Sequence, residues 1–142
     1  MRFWDTSALL TLFVAEKGTP SARSWLARDP VVVVWTLTRV ELLSALARRR
    51  REEPRSARAL AAARGHVLSA WPEWSEVTAL EAARRHAERL VESHPLRAAE
   101  ALQLGAALIA ADGATGSLDF VTFDERQATA AEREGFRVLG PD

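Results

Sequence analysis

The stretch Arg2-Phe3-Trp4-Asp5-Thr6-Ser7-Ala8-Leu9-Leu10-Thr11-Leu12-Phe13-Val14 decides the fold. Arg2 to Asp5 is a short, mainly apolar entry that ends in an acid. Asp5, Thr6 and Ser7 are helix-cap formers, and an apolar run follows them at once. That order predicts a strand, a sharp turn and a helix. The same grammar recurs near the other end of the chain. Phe120-Val121-Thr122-Phe123 reads as a strand, Asp124 to Glu134 as a helix and Phe136 to Leu139 as a last strand.

Working outward, Gly18-Thr19-Pro20 breaks the first helix and Ser21 to Arg28 predicts a second, closed by Asp29-Pro30. Val31 to Val34 is β-branched throughout, as expected of a buried strand in a parallel sheet. A long helix runs from Thr38 to about Arg51, and Pro54 separates it from a helix over roughly Ser56 to Ala70. Trp71-Pro72-Glu73-Trp74 is a connection. A helix from about Val77 to Glu92 follows and stops at His94-Pro95. Leu96 to Ala111 is apolar nearly all round, with Arg97, Glu100 and Gln103 as its clearest polar interruptions, so it belongs in the interior. Strands alternating with helices predict an α/β fold: a three-layer sandwich whose central, mainly parallel sheet is flanked by helices. With no linker, repeat or low-complexity tract, residues 1–142 are expected to form a single domain.

Composition narrows the function. The chain has 142 residues, 48% hydrophobic and 27% charged, which excludes a disordered polymer. The 19 basic residues balance the 19 acidic ones, so a generally basic, nucleic-acid-coating protein is excluded. All the basic residues but Lys17 are arginine. There is no cysteine, hence no disulfide scaffold and no thiolate zinc site. No apolar run is long enough to span a membrane, and the acid at Asp5 does not suit a signal peptide, so a cytoplasmic location is expected. His66, His86 and His94 lack metal-ligand spacing and are expected at the surface. Gly113 to Ser117 lacks the lysine of a phosphate-binding loop.

Four acids stand where local structure would favour something else. Asp5 and Asp124 follow strands, and in open α/β sheets ligands bind beyond the carboxyl ends of the strands. Glu41 lies near the start of an apolar helix, with Leu37, Thr38, Ser44 and Ala45 as helical neighbours and no base to pair with. Glu100 falls between Leu96, Leu104, Ala107 and Ala111 on the buried helix. Each has a structural reading: Thr38-x-x-Glu41 and Asp124-x-x-Gln127 match capping boxes, Asp5 suits a turn, and Arg97 is placed to pair with Glu100. Taken together, four acids in such positions need a common reason. Converging carboxylates repel one another unless a hard, oxygen-seeking cation sits among them.

These segments resemble a PIN domain, and the similarity is to the VapC-type toxins of prokaryotic toxin–antitoxin pairs. It rests on Asp5-Thr6-Ser7-Ala8-Leu9, on Glu41 in Val40-Glu41-Leu42-Leu43-Ser44-Ala45-Leu46, on His94-Pro95-Leu96-Arg97-Ala98-Ala99-Glu100-Ala101-Leu102-Gln103-Leu104, and on Phe120-Val121-Thr122-Phe123-Asp124, in that order. The resemblance implies a metal-dependent endoribonuclease that uses Mg²⁺, with Mn²⁺ as the alternative ion. Asp5, Glu100 and Asp124 would be metal ligands, and Glu41 would act directly or through water. It further implies a cognate VapB-like antitoxin and a homodimer. Thr6, Ser7 and Thr122 would add hydroxyls toward the RNA substrate, and Arg48 and Arg49 would contact its phosphates. The Arg48–Arg51 run also has a structural reading, since cations at a helix C-terminus favour the helix dipole. Trp25, Trp35, Trp71 and Trp74 are available either for stacking on bases or for packing, and Trp35 or the early helices for an apolar contact surface.

One departure matters. The third acid is usually aspartate in this family and is Glu100 here, which reaches roughly 1.5 Å farther, about one C–C bond. It motivates an alternative reading, a catalytically weak PIN-fold module that binds RNA or antitoxin. A DNA-directed nuclease of the same superfamily is a further alternative. An aspartyl-phosphate enzyme is disfavoured, because Ser7 stands where a second acid would be wanted.

Overall fold

Five strands run parallel through the middle of the computed structural model, which describes residues 1–141. They are β1 (Arg2–Trp4), β2 (Val32–Trp35), β3 (Ser75–Val77), β4 (Asp119–Val121) and β5 (Arg137–Leu139), in the spatial order β3-β2-β1-β4-β5. The crossovers are helical: α1 (Thr6–Phe13) and α2 (Thr19–Arg28), α3 (Thr38–Glu52) and α4 (Ala57–Ala70), α5 (Leu80–Ser93) and α6 (Ala98–Ala111), and α7 (Glu125–Arg133).

A parallel sheet must be covered on both faces, and the alternation of side chains along each strand divides the core accordingly. Phe3, Val33, Trp35 and Phe120 enter one core with Leu90 of α5, Leu104 of α6 and Ala130 of α7. Trp4, Val32, Val34 and Val121 enter the other with Leu9 of α1, Leu42 of α3 and Leu60 of α4. The three-layer α/β architecture read from the sequence is therefore present. Phe3 pairs with Phe120 in the β1–β4 register, and their rings stack at 5.5 Å. Gly105 lets α5 lie close on α6, because a Cβ there would meet the Ala83 carbonyl oxygen at 2.9 Å. That approach fixes the helix carrying Glu100 and Gln103.

The structure corrects the sequence reading in three places. Ser75–Val77 is a strand, not the lead into a helix, and α5 begins only at Leu80. The strand lies at the sheet edge with Ser75 and Glu76 exposed, so it carries no hydrophobic alternation to reveal it. His94 is buried rather than at the surface, because its Nε2 lies 2.7 Å from Glu134 Oε1 and ties the end of α5 to the end of α7. Trp35 is fully buried in β2 and offers no contact surface; Leu37 and Val40 at the start of α3 are the exposed apolar residues beside it.

The strand order also locates the crevice. The chain moves outward from β1 through β2 to β3, then crosses back to place β4 and β5 on the other side of β1. The carboxyl ends of β1 and β4 thus flank the point where the order reverses, where open α/β sheets bind ligands. Among the described residues, no helix is long and apolar enough to cross a membrane.

Candidate active site

Asp5 follows β1 directly and is fully buried. As N-cap of α1, its Oδ1 accepts from the Ala8 backbone N–H at 3.0 Å and from Ser7 Oγ at 2.7 Å. Its Oδ2 accepts from Thr122 Oγ1 and from Gln127 Nε2, both at 2.8 Å. Burial pushes the Asp5 carboxyl up to about 6; the donors from Ala8, Ser7 and Thr122 oppose the rise, and the nearby charge of Asp124 adds to it.

The loop after β4 is laced to the same turn. Thr122 Oγ1 accepts from the Asp124 backbone N–H at 3.0 Å, and Ser7 Oγ accepts from the Phe123 N–H at 2.9 Å. Asp124 is the N-cap of α7, and its Oδ1 accepts from the Gln127 N–H at 2.8 Å. Both strand-end acids are therefore helix caps, and the hydroxyls of Ser7 and Thr122 join them.

Glu41 is partly buried on α3 and does not cap its helix. Its Oε2 accepts from Thr6 Oγ1 at 3.2 Å and its Oε1 from Gln103 Nε2 at 3.1 Å. Burial raises its pKa, and these two donors act against the rise. Glu100 differs from the isolated inward acid expected of it. Its Oε2 accepts from the Arg97 backbone N–H at 2.8 Å and its Oε1 from Arg126 Nη2 at 2.8 Å. It closes the first turn of α6 and has a cationic partner on α7, whereas the sequence had pointed to the Arg97 side chain.

All four acids lie around the carboxyl edge of the sheet. Asp5 and Asp124 are linked through Thr122 and Gln127, Glu41 is joined to Asp5's neighbour Thr6, and Glu100 is held against the first turn of α7. Among the described residues, no group of three acidic or histidine side chains is placed to hold a metal ion. In kind, the donors still suit Mg²⁺ or Mn²⁺: Asp5, Asp124 and Glu41 offer carboxylate oxygen, Thr6 and Ser7 offer hydroxyls, and the chain has no cysteine to offer a thiolate. Mg²⁺ is commonly held by only one or two carboxylates, the rest of its shell being water and substrate phosphate.

Of the basic candidates, Arg49 is paired with Glu16, while exposed Arg48 lines a groove of about 460 Å³ with Thr6, Val40, Glu41, Ser44 and Ala45. Trp25 stacks on Phe123 at 5.7 Å, and Trp71 packs edge-on against Trp74, so packing engages these rings. Gln103 and Gln127 escaped the sequence reading as site residues. Gln103 was visible as a polar break in an apolar helix, but the partner of Gln127 lies 122 residues away and leaves no local signal.

Residues 2–133 match the family model of the PIN domain, and the chain belongs to that family. Its fold is similar to that of Mycobacterium tuberculosis VapC20, a Sarcin-Ricin loop cleaving toxin, with 21% identity, a TM-score of 0.63 and coverage of 99% of this chain and 100% of that one. It is also similar to a chain of a toxin–antitoxin complex from Klebsiella pneumoniae, at 17% identity and a TM-score of 0.57 over 89% of each chain. FitAcB from Neisseria gonorrhoeae matches at 16% identity and a TM-score of 0.58, over 98% of this chain and 96% of that one. No curated protein matches the chain.

Proposed function

We propose that this PIN domain is an endoribonuclease that uses Mg²⁺ or Mn²⁺ to hydrolyse RNA phosphodiester bonds, and that it is the toxin of a VapBC-type pair held in check by an antitoxin. The observation that carries the reading is Asp5: a buried carboxylate bridged by Gln127 and Thr122 to a second one, Asp124, where the strand order reverses. Such a pair repels itself unless protonated or given a cation. Family membership and the toxin–antitoxin neighbours support the choice of RNA and of an antitoxin partner.

In this reading Asp5 and Asp124 hold the ion, with Glu41 and Glu100 at its margin. A divalent ion, when bound, lowers the pKa of its water and neutralises charge on the scissile phosphate. The chain's own residues supply placement. Asp5 is fixed by four donors, Thr6 and Ser7 present hydroxyls beside it, and Arg48 offers a cation to the RNA backbone from the adjoining groove. No residue need form a covalent intermediate. A homodimer through the exposed Leu37 and Val40 belongs to the same proposal.

The Arg126 pairing of Glu100 favours a second reading, a binding module with little turnover. Purified protein, structured RNA and Mg²⁺ or Mn²⁺ separate the two. Cleavage that disappears in Asp5→Asn supports the nuclease; RNA binding without any ion-dependent cleavage supports the module. Cleavage that persists in Asp5→Asn removes Asp5 from the chemistry.

A further inference from the structure

The arginines of this chain are distributed selectively among its sheltered acids. Asp119 is paired with Arg2 and Arg137, Glu134 with Arg89 and Glu100 with Arg126. Asp5, Glu41 and Asp124 have no basic partner among the described residues. In a chain so rich in arginine, that separation needs a physical reason. A guanidinium would both neutralise a carboxylate and repel a divalent cation approaching it.

Two buried amides stand in the place of those cations. Gln127 donates twice: its backbone N–H to Asp124 Oδ1 and its side-chain Nε2 to Asp5 Oδ2, each at 2.8 Å. A single residue thus spans two like-charged groups. Gln103 reaches from α6 with Nε2 2.8 Å from Thr6 Oγ1, 2.8 Å from Thr38 Oγ1 and 3.1 Å from Glu41 Oε1. Thr6 in turn donates to the other oxygen of Glu41, so both oxygens of that carboxylate are held.

The far ends of the two amides are informative. Gln103 Oε1 and Gln127 Oε1 are both buried without a partner among the described residues. An unpaired buried carbonyl is costly. Turning either amide over would set that carbonyl against a carboxylate oxygen, which is worse. The acids therefore dictate the orientation of the amides. We propose that Gln103 and Gln127 are positioning residues of the site: neutral clamps that aim Glu41 and Asp5 at a divalent cation while leaving their negative charge intact. The cation rests on the nuclease reading above; the clamping of the carboxylates does not.

The test uses the full chain with Gln103→Leu and Gln127→Leu, and with Gln103→Met and Gln127→Met should a Leu variant fail to fold. Each substitution removes an unpaired carbonyl together with the donor, so the melting temperature is expected to stay within about 3 °C of the wild type. Metal-free crystal structures are expected to show Asp5 turned in the Gln127 variants and Glu41 turned in the Gln103 variants. Mn²⁺ affinity, read by EPR titration, is expected to weaken about tenfold. RNA cleavage is expected to lose kcat by about 10- to 100-fold with KM within about threefold. Unmoved carboxylates with unchanged Mn²⁺ affinity would overturn the proposal. So would a large fall in melting temperature accompanied by unchanged kcat, which marks a purely structural role. Wild-type protein that neither binds Mn²⁺ nor cleaves RNA sinks the nuclease reading instead, and the crystal structures still decide the clamps.

Discussion

Thr122 Oγ1 donates to Asp5 Oδ2 at 2.8 Å, joining the end of β4 to the end of β1 across 117 residues of chain. The same hydroxyl accepts from the Asp124 backbone N–H at 3.0 Å. One fully buried hydroxyl thus supports both strand-end acids. Thr122→Val keeps the shape and removes both bonds, leaving the Asp124 N–H without its acceptor. It is expected to destabilise by about 1–3 kcal/mol and to lower cleavage at least about tenfold. Thr122→Ser retains the hydroxyl and is expected to keep most of the activity. Denaturant unfolding and a cleavage assay on the same preparations check both.

Asp5 gives a pH prediction with a definite sign. Burial raises its carboxyl from 3.8 to about 6 in the folded chain. The folded state therefore binds the Asp5 proton more tightly than the unfolded state does. Its contribution favours folding below pH 4 and is lost as pH rises from about 4 through 6. Asp5→Asn removes that loss. Gln127 can accept the change, because its unpaired Oε1 can turn toward the new amide. Relative to wild type, metal-free Asp5→Asn is expected to gain of the order of 2–3 kcal/mol between pH 4 and pH 7 while losing cleavage. A wild-type-minus-variant stability difference that is flat over that range contradicts the raised pKa.

What the sequence made legible was local or periodic. Asp5 and Asp124 announce themselves as acids at strand ends, Val31 to Val34 as a β-branched run, and α6 as an apolar helix with few breaks. What it concealed depends on distant partners. Glu41 matches a capping box by spacing, but tertiary donors Thr6 and Gln103 take its carboxylate. Glu100 looks isolated on a helical wheel, yet Arg126, 26 residues on, reaches it from α7. Edge strand β3 has no apolar pattern because only one of its three side chains is even partly buried.

Glu100 tests the departure from the usual family acid. Its carboxylate is held between the Arg97 N–H and Arg126. Glu100→Asp shortens the side chain by one methylene and withdraws it from Arg126, which is a half-exposed and therefore weak pairing. Cleavage with Mg²⁺ is expected to rise, at a stability cost below about 1 kcal/mol. A fall in cleavage would mean that the backbone of α6 already accommodates the longer acid. Rates at saturating Mg²⁺ and Mn²⁺ make the comparison.

Arg48 and Arg49 are neighbours with different surroundings. Arg48 lines the groove beside Glu41 and Thr6, while Arg49 is paired with Glu16. Arg48→Ala is expected to weaken RNA binding by about three- to tenfold and to flatten its salt dependence by about one phosphate contact. Arg49→Ala is expected to change RNA affinity less than twofold and stability by less than about 1 kcal/mol. Fluorescence anisotropy over a salt series reads both slopes.

Glu134 gives the opposite pH sign from Asp5, and at the opposite end of α7 from Asp124. Arg89 donates to both of its oxygens, at 3.0 and 2.8 Å, and buried His94 lies 2.7 Å away. The Arg89 hydrogen bonds, seconded by His94, hold the carboxyl down at about 2, against an ordinary 4.5. A depressed folded pKa stabilises above the unfolded value and loses that contribution as pH falls from about 4.5 toward 2. Solvent screens the pair, because the Arg89 side chain is half exposed. Glu134→Gln is therefore expected to cost roughly 1–2 kcal/mol at pH 7. The difference from wild type should shrink steadily below pH 4.5 and close near pH 2. Thermal unfolding of both proteins across pH 2–7 gives that difference directly. A gap that persists at pH 2 would assign the stabilisation to packing of the α5 and α7 ends, not to charge.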